Sequence, residues 1–229
     1  MNSLISVSLV INFDPDWQVQ NIIDKLLSSE MDCVITVVDN GKKIRNHLEK
    51  NKKIRYIFNN KHIGYANAHN LAFNNYSLDS KYHLISNVDV DFDQDVLSEL
   101  YNFMEENNDC GMVGPKILNK DGSTYNSCKL LPTPLDILMG KFGKKYLKYF
   151  SSYELNISKI PQSTIIPFIS GCFLFCKSDV LRKIKGMDGN FFLFMDDVDL
   201  SRRVNEVSKV YYCEKASIKH LHGRIHTQS

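Results

Sequence analysis

The feature that most constrains the fold is an alternation of apolar, strand-like runs with stretches of helical spacing. Strands are expected near 4–12, 32–38, 53–58 and 82–87, and helices near 16–29, 42–50, 64–76 and 94–107. Strands joined through helices return to the same end of a sheet and so pair in parallel, which predicts an α/β fold with a doubly wound, mostly parallel sheet. Ligands of such sheets sit beyond the carboxyl ends of the strands. Three segments fall there: Asn12 to Asp16, Asp39 to Lys43, and Asn87 to Asp93.

The second half changes character. Cys110 to Leu118 reads as another strand, and Asn119-Lys120-Asp121-Gly122 as a hairpin-type turn. Residues 128–164 are irregular and rich in Pro and Lys; a strand from Ile165 to Cys176, a short helix near 178–184 and a last strand near 209–219 follow. The 229 residues, 43% of them hydrophobic, can bury a sizeable core and read as one domain over 1–229.

Charge excludes one class of partner. The 28 basic and 26 acidic residues leave a net charge of +2, too balanced for a surface built to bind nucleic acid. A local cluster exists, since Lys141, Lys144, Lys145 and Lys148 alternate with Phe142, Tyr146, Leu147, Tyr149 and Phe150. A solvated helix with one buried face is the plain reading, and contact with an anionic membrane surface is the other. Leu4 to Ile11 is too short to span a bilayer and lacks the flanks of a signal peptide. A cytoplasmic protein with peripheral membrane contact is therefore expected. The six cysteines lack a Cys-x-x-Cys pair and read as buried free thiols in a reducing compartment. A zinc site from Cys172, Cys176, His220 and His222 is disfavoured, because positions i and i+4 of a strand lie far apart.

Two acidic segments carry the chemistry. In Phe194-Met195-Asp196-Asp197-Val198-Asp199 the carboxylates stand where an apolar run passes into a helix. Asp196 is a natural N-cap with Asp199 as its capping-box partner, and Asp199 can pair with Arg202 and Arg203. Asp197 is left over as a candidate general base. In Ser86-Asn87-Val88-Asp89-Val90-Asp91-Phe92-Asp93, Asp89 with Asn87 or Asp91 suits a hard cation such as Mg²⁺ or Mn²⁺ that also binds substrate phosphates. An EF-hand fails, since Gln94 and Leu100 stand where glycine and Glu would be required. The plain alternative is capping of the next helix by Asp93. Gly64 opens a helix and could admit phosphates to backbone amides. Asp39 ends a strand, where an acid serves either a ribose or base, or the turn itself.

Taken in order, Val37-Val38-Asp39-Asn40, Asn60 to Asn70, Asn87-Val88-Asp89, Ser170-Gly171-Cys172-Phe173-Leu174-Phe175 and Phe194 to Leu200 resemble glycosyltransferase family 2. Within it the chain looks most like the bacterial rhamnosyltransferases of O-antigen and capsule synthesis, through Asn87-Val88-Asp89 and the stretch 131–136. The resemblance implies a GT-A fold: a nucleotide-sugar-binding half at 1–108, and an acceptor-binding and catalytic-base half at 109–229. It implies an inverting, metal-dependent transfer, with dTDP-rhamnose as donor, a polyprenyl-diphosphate-linked saccharide as acceptor, and a place on the cytoplasmic face of the inner membrane. Carried over by position, Asp197 is the base, and Asp196, Cys172 and Gly171 meet the acceptor. Asn12, Asp39, Gly64, Asn67, Asn70 and Asn87 meet the nucleotide, and Asp89, Asp91 and His220 lie at the metal and diphosphate. Similar proteins continue into further basic helices, so either a truncated piece or a short member is expected. The alternative from another class is a nucleotide-sugar-binding module without catalysis that partners an active transferase.

Overall fold

A computed structural model describes residues 4–41, 45–76, 79–130, 164–191 and 195–221. The Lys-rich aromatic stretch 141–150, the segment 131–136 and His222 lie outside them. The first half builds β1 (Ile5–Ile11), α1 (Asp16–Leu27), β2 (Cys33–Asp39), β3 (Ile54–Phe58), α2 (Tyr65–Tyr76), β4 (Tyr82–Ser86), β5 (Val90–Phe92) and α3 (Val96–Glu106). The second half adds β6 (Cys110–Leu118), β7 (Thr124–Tyr125), β8 (Cys128–Lys129), β9 (Thr164–Ile165), β10 (Phe168–Ile169), β11 (Phe173–Lys177), α4 (Ser178–Lys183), α5 (Asp196–Val207) and β12 (Lys209–His220).

The main sheet runs β3-β2-β1-β4-β11-β6-β12-β5, with β7 on β6 and β9 on β12. Strands β1 to β4 are parallel, as expected. The chain walks from β1 to β3 along one side and then crosses to place β4 on the other side of β1. That reversal is the topological switch point, where a crevice opens beyond the strand ends. Strand β11 enters antiparallel between β4 and β6, and β12 lies parallel to β6. The amino end of β11 and the carboxyl ends of β4 and β12 therefore share one rim.

Helices cover both faces. Val19, Ile22, Ile23 and Leu26 of α1, at helical spacing, join Val96, Leu97, Leu100 and Phe103 of α3 in the core under one face. Each such side chain contributes roughly 1.5–3 kcal/mol on burial. On the other face Ala66 and Phe73 of α2 pack with Leu181 of α4, and Leu200 and Val204 of α5. Ser6 and Ser8 are buried on β1 because histidines satisfy them: Ser6 Oγ lies 2.8 Å from His83 Nδ1, and Ser8 Oγ 2.9 Å from His83 Nε2 and 2.6 Å from His69 Nδ1. The six cysteines are buried and free.

The structure departs from expectation in four places. Of the helix expected over 42–50, residues 42–44 lie outside the described residues, and Asn46–Lys50 forms a 3₁₀ turn on which Leu48 is buried. The strand expected over 165–176 is broken into β9, β10 and β11, because Pro167 lacks a ladder donor and the chain turns at Gly171 and Cys172. Its apolar composition is continuous, so periodicity could not reveal the breaks. Val90 to Phe92, read as part of a ligand loop, is strand β5 against the end of β12. Asp93 does not cap α3; the helix begins after Asp95 without a side-chain cap bond.

A buried ionic knot closes the end of the parallel half. The Arg45 guanidinium donates to Asp39 Oδ2 at 2.7 Å, to Asp16 Oδ1 at 2.8 Å and to the Asp14 carbonyl at 2.8 Å. Tyr56 of β3 donates to the same Asp39 oxygen at 2.7 Å, and burial, with that bond second, pushes its phenol up to about 12. Asp39 is fully buried and Arg45 nearly so. Leaving one such charge alone is costly, so Arg45→Ala is expected to lose roughly 3–5 kcal/mol in urea denaturation. Pairing it with Asp39→Asn should recover much of that loss.

Candidate active site

The site forms where β4 and β12 end. After β4, the amide of Asn87 donates to the Cys172 carbonyl at 2.9 Å, and the amide of Leu221 donates to the Asp89 carbonyl at 2.7 Å. Residue His220 pairs with Val90 across β12 and β5. This ladder brings His220 Nε2 to 3.1 Å from Asp89 Oδ1 and 3.5 Å from Asn87 Nδ2. Asp89 and His220 are both 15% exposed at the side chain, accessible to a ligand yet partly shielded from water.

Asp197 arrives from the other direction. Helix α5 is preceded by Met195 at φ 66°, a left-handed conformation costly for a residue with a side chain, and no side-chain bond caps the helix. The expected capping by Asp196 is thus not made, and Asp196 is the first helical residue, buried at the helix start. Asp199 meets expectation, pairing with Arg203 at 2.6 Å and Arg202 at 3.2 Å. The Asp197 carboxylate accepts from the amide of Gly171 at 3.1 Å through Oδ2 and from that of Val198 at 2.9 Å through Oδ1. Gly171 is required here, since a Cβ at this position would stand 2.9 Å from the Asp197 Cβ. Burial, and then the neighbouring charge of Asp196, raise the proton affinity of Asp197, while the two amides lower it. Burial raises that of Asp196 as well.

A cleft of about 260 Å³ is lined by Asn87, Gly171, Cys172, Asp196, Asp197 and His220, together with Tyr65, Ser170 and Met195. Residues far apart in the sequence converge there. The Cys172 thiol, pushed up to about 12 chiefly by burial, stays protonated. Tyr65 was not singled out from the sequence, because an aromatic residue at a helix start reads as core. Its hydroxyl lies 3.0 Å from Asn87 Oδ1 and 3.2 Å from the Gly171 carbonyl.

Other expected site residues stand elsewhere. Asn70 gives its amide to the Met187 carbonyl at 2.7 Å and accepts from the Met187 amide at 2.9 Å. Asn67 donates to the carbonyls of Ile63 and Gly189 at 3.1 and 2.9 Å. Both asparagines, expected at the nucleotide, fasten the 186–189 loop onto α2. Asp91, expected at the metal, forms an ion pair with Lys25 of α1 at 2.6 Å and is not gathered with Asp89 and His220. Asp39, expected at the nucleobase, accepts from Arg45 and Tyr56 through Oδ2 and from the Gly41 amide through Oδ1. The Asn12 amide donates to Asp14 Oδ2 at 2.8 Å. The proton affinity of Asp14 is raised, by burial first and in smaller part by the charge of Asp89, which lies near this loop. Gly64 adopts φ 85° just before α2, a conformation that suits glycine.

The Glycosyl transferase family 2 profile matches residues 18–185. The chain belongs to this family. A curated relative, the N-acetylglucosaminyl-diphospho-decaprenol L-rhamnosyltransferase of Mycobacterium tuberculosis, is 24% identical over 151 residues, 63% of this chain and 47% of the relative. The chain spans about half the length of the curated relatives it matches. Among solved structures, a mannosyltransferase from Pyrobaculum calidifontis in complex with GDP-Man and Mn²⁺ superposes with a TM-score of 0.65 at 13% identity, covering 98% of this chain and 58% of the other. GalNAc-T7 with UDP, GalNAc and Mn²⁺ gives 0.63 at 12% identity, covering 95% and 44%. These likenesses establish the GT-A fold for this family 2 member.

Among the described residues no group of three or more His, Cys, Asp or Glu side chains is arranged to hold a metal ion, which includes the zinc set weighed above apart from His222. The available donors, Asp89 and His220 with the Asn87 amide alongside, fit an ion that takes most of its ligands from a substrate diphosphate and water. No helix among the described residues is long and apolar enough to cross a membrane.

The raised proton affinity of Asp196 sets a pH dependence of stability. Its folded form binds the proton more tightly than its unfolded form, so stability falls as pH rises from the ordinary carboxylate value through the raised one. Above the raised value that loss is complete. Asp196→Asn is therefore expected to melt higher than wild type at pH 7, with the gain vanishing below about pH 3. Thermal melts across this range check it.

Proposed function

We propose that this family 2 protein is an inverting glycosyltransferase with Asp197 as general base. The observation that carries the reading is the convergence of Asp197, Asn87 and His220 on one cleft at the switch-point rim, with Asp89 bonded to His220. The proposed donor is a nucleotide sugar, L-rhamnose carried by dTDP. The proposed acceptor is a polyprenyl-diphosphate-linked saccharide of O-antigen or capsule synthesis, met at the cytoplasmic face of the inner membrane. The mycobacterial relative, an N-acetylglucosaminyl-diphospho-decaprenol L-rhamnosyltransferase, supports L-rhamnose as the sugar and a polyprenyl-diphosphate-linked acceptor.

In this reading an acceptor hydroxyl enters the cleft beside Asp197. The two amide bonds hold the carboxylate, leaving oxygen lone pairs to take the hydroxyl proton. As the proton moves, the acceptor oxygen attacks the anomeric carbon, the bond to the nucleoside diphosphate breaks, and a single displacement inverts the configuration. Burial and the Asp196 charge make Asp197 a stronger base than a solvated aspartate. Asp196 thus has a second proposed task besides meeting the acceptor. Asp89 and His220, with Asn87 beside them, would hold a divalent cation, Mg²⁺ or Mn²⁺. Such an ion supplies charge neutralisation for the departing diphosphate.

Asp197→Asn is expected to lower kcat by roughly 10³-fold or more while nucleotide affinity stays within about threefold of wild type. Turnover by that variant near the wild-type rate overturns the assignment of the base. Asp89→Ala should abolish the Mn²⁺-dependent part of the thermal shift given by dTDP-rhamnose. Calorimetric nucleotide affinity that stays metal-dependent in this variant removes Asp89 from the cation site. Stabilisation of wild type by nucleotide sugar without any donor turnover would favour the non-catalytic binding module.

A further inference from the structure

Tyr65 lines the cleft, and the proposed reaction gives it no task. It opens α2 directly after Gly64 and places one hydroxyl between two acceptors, Asn87 Oδ1 at 3.0 Å and the Gly171 carbonyl at 3.2 Å. These acceptors belong to the two halves of the site. Asn87 stands on the rim with Asp89 and His220, whereas Gly171 is the residue whose amide holds the Asp197 carboxylate at 3.1 Å. Gly171 is thereby gripped at its carbonyl by Tyr65 and at its amide by Asp197. A glycine has more backbone freedom than any other residue, so an external grip matters most there.

The tyrosine is itself braced. His69, one helical turn on, packs edge-on against its ring with centroids 4.2 Å apart. His69 is in turn anchored to the core of β1 by the 2.6 Å contact between its Nδ1 and Ser8 Oγ. The brace therefore runs from the innermost strand, through His69 and the Tyr65 ring, to the Gly171 peptide.

We propose that Tyr65 is a positioning residue: its hydroxyl fixes the Gly171 peptide, and through it the Asp197 carboxylate, relative to Asn87. The effect on rate rests on the reading of Asp197 as base; the effect on the carboxylate does not. Tyr65→Phe removes one oxygen and keeps the ring. In the wild-type protein the Gly171 amide resonance is expected to follow the titration of Asp197 by NMR. In Tyr65→Phe the amide holds the carboxylate less firmly, so the midpoint should move up by about 0.5 pH unit. The kcat for sugar transfer should fall about tenfold to a hundredfold, with donor KM changed far less. A Gly171 titration identical to wild type overturns the proposal, whether or not the protein proves to be a transferase. Absence of turnover in wild type alone counts against the function and leaves the NMR result to decide Tyr65. Should the phenylalanine variant fail to fold, 3-fluorotyrosine at position 65 keeps the hydroxyl and strengthens it as a donor. The Gly171 resonance should then shift, and an unmoved one overturns the proposal.

Discussion

The antiparallel seam between β4 and β11 is the constraint on which the site depends. Ser86 pairs with Phe173, and one residue further the Asn87 amide reaches the Cys172 carbonyl at 2.9 Å. That register puts Gly171 beside the end of β4, so whatever Gly171 holds is held relative to Asn87. A slip of one residue would turn every side chain of β11 to the opposite face, and Phe173 and Phe175 would exchange cores with the smaller Leu174 and Cys176. The packing of those rings thus fixes where Asp197 can stand, although neither touches it.

The far end of the parallel half is organised by charge instead of by a seam. Arg45 ties the loop after β1 to the end of β2, and Tyr56 adds β3 through the same Asp39 oxygen. A buried ion pair is not inherently stabilising, because desolvation can outweigh the Coulomb gain. Its contribution here is geometric, since it holds the loops after β1 and β2 in one arrangement at the expected nucleotide end.

The parallel half was legible because period and length agree: α1 presents Val19, Ile22, Ile23 and Leu26 at helical spacing, and β1, β2 and β4 are bounded apolar runs. Asp197 and Asp89 could be singled out because each acid follows directly on a buried apolar run. The tasks of Asn67 and Asn70 were not legible. An exposed amide on a helix carries no mark of its partner, and theirs is the backbone of 186–189, more than a hundred residues away. Asp91 was opaque for a similar reason, since only the tertiary fold brings Lys25 to it. Tyr65 shows the converse, a residue whose composition says core and whose hydroxyl joins two walls of the cleft.

Asp196 and Asp197 lie side by side, both partly desolvated, and each adds to the cost of ionising the site. A chain selected for stability alone would not keep adjacent, partly desolvated carboxylates there, nor Met195 in a left-handed conformation just before them. The strain and the charge are therefore two parts of one arrangement. The backbone twist at Met195 aims the helix, and burial raises the affinity of the aimed carboxylate for a proton. Gly171, too small to obstruct, and Tyr65, which holds Gly171 in place, let that carboxylate keep one position against the rim that carries Asp89.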